Sequence, residues 1–172
     1  MDQSELIELI REAVPAGAGG RWADLGAGDG NFTVALATLL GPTAQLTAID
    51  RDANALERLA TRLPAANVRV ADFQQPVDLE NLDGVLMANS LHFVRDKAPV
   101  LARVLGLLRP GGRLVLVEYA TDRGNPWVPY PFSYGRWEEL AAQAGFIGTS
   151  LAGERPSRHF GSMYAAVSFR PD

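Results

Sequence analysis

Three acids, Asp24, Asp50 and Asp72, stand at the ends of three short apolar runs, and the first run leads into a turn with alternate glycines, Gly26, Gly28 and Gly30. Carboxylates so placed accept hydrogen bonds from hydroxyl, amino or ammonium groups, and glycine lets a ligand come close to the backbone. Asp29, inside the turn, adds further negative charge. That charge argues against a bound di- or triphosphate and suits a ligand with an ammonium group, such as an amino acid moiety. Asp50 lies about 20 positions past the turn, where an acid can accept both hydroxyls of an adenosine ribose. The spacing is not the dinucleotide fingerprint, because G-x-G-x-x-G needs a third glycine where Asn31 stands. A G-x-x-x-x-G-K-[ST] phosphate loop is also missing from the sequence.

A second group of residues could move a proton or hold an acceptor. His92, Glu118, Tyr119 and His159 are the candidate bases, and each has a structural role open to it as well. Trp127, Tyr130 and Phe132 sit in a proline-rich stretch, 120–132, where they either pack on the core or line a pocket. Arg155 and Arg158 could fix a carboxylate or phosphate on an acceptor.

Composition narrows the field. With no cysteine and two histidines there is no thiol nucleophile, disulfide framework or cysteine- or histidine-rich zinc site, so no metal is expected. A formal charge of −4, with no run or helical stripe of arginines, argues against nucleic acid as a partner. The acidic, polar N-terminus is unlike a signal peptide, and no apolar stretch approaches a membrane span, so a cytoplasmic location is expected. At 172 residues the chain suits one domain with one sizeable core.

The elements that must position these residues alternate in type. Apolar spacing predicts a helix over 3–13, with Asp2 and Glu5 at capping-box distance. Residues 1–14 could serve as a lid over a ligand site or simply cover the core. A helix follows the glycine turn and stops at Gly41–Pro42; strand 44–49 ends on Asp50, and Asp52 caps the next helix. Strands are expected at 67–71, 83–89 and 113–119. A helix with Pro99 in its first turn precedes the last of these, and another follows Ser133. Strands at 146–152 and 162–169, joined by the polar connection GERPSRHFG, form an antiparallel pair at one edge. Alternating strands and helices predict an α/β fold with a mostly parallel sheet and the three acids along one edge.

These stretches together resemble the class I S-adenosylmethionine-dependent methyltransferases, small-molecule type, over residues 20–170. DLGAGDGNF (24–32), LTAID (46–50), VADF (70–73), LMANSLHF (86–93) and LLRPGGRLVLVE (107–118) carry the resemblance. It implies a Rossmann-like three-layer sandwich whose seven-stranded sheet has the order 3-2-1-4-5-7-6, strand seven antiparallel. It further implies S-adenosylmethionine as cofactor and S-adenosylhomocysteine as product. Asp24, Gly26 and Gly28 would hold the methionine part, and Asp50 with its neighbour Arg51 the ribose. Asp72 and Phe73 would hold the adenine, and Asn89, with Ser90, would contact the methionine part or face the methyl. ANSL in place of N-P-P-[YF] weakens a nucleic-acid or glutamine N-methylation reading.

The implied reaction is an in-line displacement at a sulfonium carbon, which requires alignment above all. His92 is the preferred base, and Phe93, Tyr119, Trp127, Tyr130, Arg155 and His159 are the expected acceptor-site residues. The acceptor is expected to be small, partly apolar and open to O- or C-methylation, and the chain to act as a monomer or homodimer. A non-catalytic cofactor-binding protein and an RNA methyltransferase working with a partner protein are the competing readings.

Overall fold

The strongest pattern in the chain is alternation within its strands, and the computed structural model, which describes residues 1–157 and 161–172, shows what it separates. The first helix, α1 (Gln3–Ile10), is capped by Asp2 and continues as a 3-10 turn, Arg11–Ala13. Then come β1 (Gly20–Leu25), α2 (Asn31–Leu40), β2 (Ala44–Asp50), α3 (Ala53–Arg62), β3 (Asn67–Val70) and β4 (Leu82–Ala88). A 3-10 turn, Leu91–Phe93, precedes α4 (Ala98–Leu107), β5 (Leu108–Tyr119), α5 (Tyr134–Gln143), β6 (Ile147–Ser157) and β7 (Gly161–Phe169). The seven strands form one sheet in the order β3-β2-β1-β4-β5-β7-β6. β7 runs antiparallel to both its neighbours, and the other pairings are parallel.

Successive residues of a strand point to opposite faces. Trp22, Leu46, Leu86, Val115 and Val117 face α1 and α2, while Ala23, Leu25, Val85, Met87, Leu114 and Leu116 face α4 and α5. The inner strands β1, β2, β4, β5 and β7 therefore bury residues on both sides, as a sheet covered by two helical layers requires, while the edge strands β3 and β6 have no fully buried residue. Close approach is tight at Gly84, where a β-carbon would stand 2.2 Å from the Trp22 ring.

Several boundaries differ from the sequence reading. β5 begins at Leu108, pairs there with Leu82, and regains register at Arg113 after the Pro110–Gly112 excursion. α4 consequently ends at Leu107, with Leu108 already in the strand. β6 runs on to Ser157, so most of the expected polar connection is strand, with Arg155 paired to Met163. The long loop is also less uniform than its composition indicates: Phe132 is core, packed against Trp137, and only part of the loop faces outward.

Candidate functional site

Two cavities open at the carboxyl-terminal edge of the sheet, and Asn89 is the one described residue that lines both. The first, about 340 Å³, lies where β1 turns into α2. Asp24 reaches it from the last turn of β1. Its Oδ2 accepts from the Thr33 hydroxyl at 2.6 Å, while Oδ1 is buried with no hydrogen-bond partner. Burial raises the Asp24 carboxyl from 3.8 to about 7; the Thr33 hydrogen bond opposes that rise and the charge of Asp50 adds to it.

The turn itself is held from two sides. Gly26, at φ +85°, donates its N–H to the Ile49 carbonyl at 2.8 Å. A β-carbon there would stand 2.4 Å from that of Ser90 and 3.2 Å from the Phe73 ring, so this position needs glycine on both counts. Gly28 donates its N–H to Asp50 Oδ2 at 2.8 Å, and the other Asp50 oxygen accepts from the Asp52 N–H at 2.9 Å. Asp50 thus braces the turn from β2 and keeps a lone pair on each oxygen for a ligand. Asp72 caps its own turn, accepting from the Gln74 N–H at 2.9 Å. Asp24, Gly26, Gly28 and Asn89 come together in the cavity wall. Asp50 and Phe73 stand one contact behind it, and Arg51 is exposed beside Asp50. Thr33 went unnoticed in the sequence, although a hydroxyl in the first turn after the glycines was a visible signal. Met1 and Leu6 of the N-terminal segment close the far side.

The second cavity, about 710 Å³, is lined by Asn89, His92, Phe93, Tyr119, Asn125, Trp127 and Val128. His92 lies on the 3-10 turn after β4, and Glu118 lies near the end of β5. The parallel pairing of these strands brings them together across 26 residues. The His92 backbone N–H donates to Glu118 Oε1 at 3.1 Å, and Nδ1 meets Oε2 at 2.7 Å. Both side chains are buried, at 2% and 0% exposure. With Nδ1 donating to the carboxylate, a neutral ring keeps its lone pair on Nε2, which has no partner among the described residues. Phe93 and Tyr119 pack against the imidazole at ring separations of 4.3 and 5.8 Å. Burial and the charge of Glu118 both raise the Tyr119 phenol, which keeps it protonated and removes it as a base near neutrality.

Trp127 forms an exposed flap on the cavity, held by its N–H and that of Val128 donating to the Asn125 side chain at 2.8 and 2.9 Å. Such a side-chain-capped turn was legible in principle from Asn125 before a proline. Tyr130 falls elsewhere, in a separate hollow beside Lys97, although its N–H donates to the His92 carbonyl. Arg155 lines neither cavity, and Arg158 and His159 lie outside the described residues. Among the described residues no His, Asp and Glu cluster could hold a metal ion, and no helix is long and apolar enough to cross a membrane.

Comparison with known proteins identifies the family. A family model described as a methyltransferase domain matches residues 23–114. The trans-aconitate 2-methyltransferase of Paracidovorax citrulli is 36% identical over 136 residues, 76% of this chain and 48% of the relative. The ubiquinone/menaquinone biosynthesis C-methyltransferase of Ectopseudomonas mendocina is 32% identical over 128 residues, 67% of this chain and 50% of the relative. The chain thus spans about half the length of the curated relatives it matches. Among solved structures, a Haemonchus contortus phosphoethanolamine N-methyltransferase, held with S-adenosylhomocysteine, superposes with a TM-score of 0.81 at 15% identity. It covers 98% of this chain and 53% of its own.

Proposed function

We propose, given that this chain belongs to the class I S-adenosylmethionine-dependent methyltransferases, that it methylates a small, largely apolar acceptor which first gives up a proton to His92. The observation that carries this reading is the buried His92–Glu118 pair in the lining of the larger cavity, with Nε2 unpartnered among the described residues. The smaller crevice fits the family's cofactor. The orphaned Asp24 Oδ1 suits its ammonium group, and the Asp50 lone pairs suit its ribose hydroxyls. When bound, the cofactor supplies an electrophilic methyl group on a sulfonium sulfur. Asp50→Ala is expected to weaken S-adenosylmethionine binding by about 1.5–3 kcal/mol, the worth of hydrogen bonds to a charged acceptor. Calorimetry on the folded variant checks this, and unchanged affinity would remove Asp50 from the site.

The acceptor's class follows from what lines the larger cavity. Among the described residues its walls carry two aromatic rings besides His92 and Tyr119's own, and no arginine or lysine. A carboxylate acceptor would meet no cation among these described residues, and being already ionised it would need no base. A neutral phenol or enol, weakly acidic and flat, meets both conditions, and transfer to its oxygen is the main reading. Transfer to an enol carbon is the second, favoured by the relative named as a C-methyltransferase. Product analysis from a metabolite screen with labelled methyl donor separates the two.

The test is single-turnover transfer against pH, with His92→Asn beside the parent. The rate is expected to fall by about 10²-fold or more, cofactor affinity to hold, and the imidazole titration to vanish from the profile. A fall smaller than about threefold would leave His92 as structure and catalysis as alignment alone.

A further inference from the structure

Glu118 poses a problem of charge that the hydrogen bonds around it do not answer. A fully buried carboxylate is costly unless a cation compensates it. If His92 supplied that cation it would be an imidazolium, with no lone pair left to take a proton. A separate positive charge resolves the conflict, and the chain places its only lysine there.

Lys97 is buried just below the turn that carries His92. Its Nζ donates to the carbonyls of Val94, at 2.8 Å, and Tyr130, at 3.0 Å, and sits 4.9 Å from the centroid of the Phe132 ring. Val94 ends the His92 turn, and Tyr130 donates its N–H to the His92 carbonyl. None of these partners is anionic, so no contact ion pair cancels the ammonium charge. Through these carbonyls the ammonium sits against the backbone of the turn that brings His92 to Glu118, and its charge interacts with that of Glu118. Consistently, burial pushes the lysine down from its ordinary range while Glu118 pulls it back up.

We infer that Lys97 is the counter-charge of the His92–Glu118 pair, a positioning residue that keeps the imidazole neutral with Nε2 free to accept a proton. The inference rests on the reading of His92 as the base. Among the described residues, other groups around the pair do not supply the charge. Tyr119 and Tyr164 are both raised by burial first and by Glu118 next, and remain neutral phenols. Asp122 on the loop and Arg136 on α5 are exposed at the outer side; Arg136 works against Lys97 rather than replacing it.

The experiment follows the imidazole by NMR in the whole chain without acceptor, in a His159→Asn background that leaves one histidine. Lys97→Met is expected to raise the midpoint of the His92 titration by about one pH unit, because loss of the cation favours imidazolium beside Glu118. Lys97→Arg, which keeps the charge, is expected to hold it within about 0.3 unit. An unmoved midpoint in Lys97→Met, or an equal rise in Lys97→Arg, would overturn the inference. Should Lys97→Met fail to fold, the single lysine Nζ resonance decides in the intact protein. An ammonium at pH 7 whose own titration falls in Glu118→Gln supports the counter-charge. A neutral amine at pH 7, or no change in Glu118→Gln, refutes it. The titration is read without turnover, so a failure of His92→Asn to slow transfer would remove the base and leave this result standing.

Discussion

A chain lacking residues 1–14 is expected to lose its cooperative unfolding transition at room temperature, and not merely to bind its cofactor less well. Leu6, Leu9, Ile10, Ala13 and Val14 are buried in one cluster with Trp22, Phe32, Leu36 and Val115. The segment is also tied down by its backbone. Arg113 donates to the Ala13 carbonyl at 3.2 Å, and the Leu9 carbonyl lies where a β-carbon on Gly153 would be 2.4 Å away. At roughly 2 kcal/mol for each large apolar side chain, four such residues contribute on the order of 8 kcal/mol. That is comparable to the whole stability of a typical domain, about 5–15 kcal/mol. Only Met1 and Leu6 reach the smaller cavity, so most of the segment covers core and its first turn alone closes the crevice. Denaturant melts followed by circular dichroism check the point. A truncated protein with a sharp transition, destabilised by less than about 2 kcal/mol, would restore the lid as the segment's main role.

The second large effect is on pH. Asp24 has its carboxyl raised to about 7 in the folded protein, against 3.8 ordinarily. Between those values the folded state holds a proton that the unfolded state has released. The contribution is fully present below about pH 4 and is lost as pH rises through about 7. Over that window the unliganded protein is expected to lose stability on the order of 4 kcal/mol from this group alone, at about 1.36 kcal/mol per pH unit. Asp24→Asn should flatten the dependence and be the more stable protein at pH 8. An ammonium group placed against Oδ1 favours the carboxylate, so S-adenosylmethionine binding is expected to tighten as pH rises from 5 to 8. Up to one proton should be released, and calorimetry in buffers of different ionisation enthalpy would count it. Proton uptake, or none with the parent protein, would mean that Asp24 is not where the cation sits.

How far the molecule could be read in advance depended on the range of each interaction. The acids after three strands, the glycine turn and the Asp2–Glu5 cap are local patterns, visible within a few residues. The strand order came through family resemblance, since periodicity alone does not say which strands are neighbours. The His92–Glu118 contact was out of reach because it depends on β4–β5 register, although both residues stood out separately as candidate bases. Lys97 gave no signal beyond its rarity, for its role comes from burial under a turn whose packing the sequence does not display. Phe132 and Tyr130 were grouped by composition, and both border the hollow beside Lys97, but the Phe132 ring is buried against Trp137 while Tyr130 is exposed.

The meeting of the two cavities at Asn89 also divides the polypeptide. Every described residue lining the smaller crevice lies at or before position 89, and every one lining the larger lies at or after it. Asn89 holds the left-handed conformation, φ +53°, with its side-chain oxygen buried and unpartnered. A chimera joined there would exchange the whole described lining of the larger cavity beyond Asn89 and keep that of the smaller, provided the replacement retains Ser90, which donates to the Leu25 carbonyl and packs against Gly26.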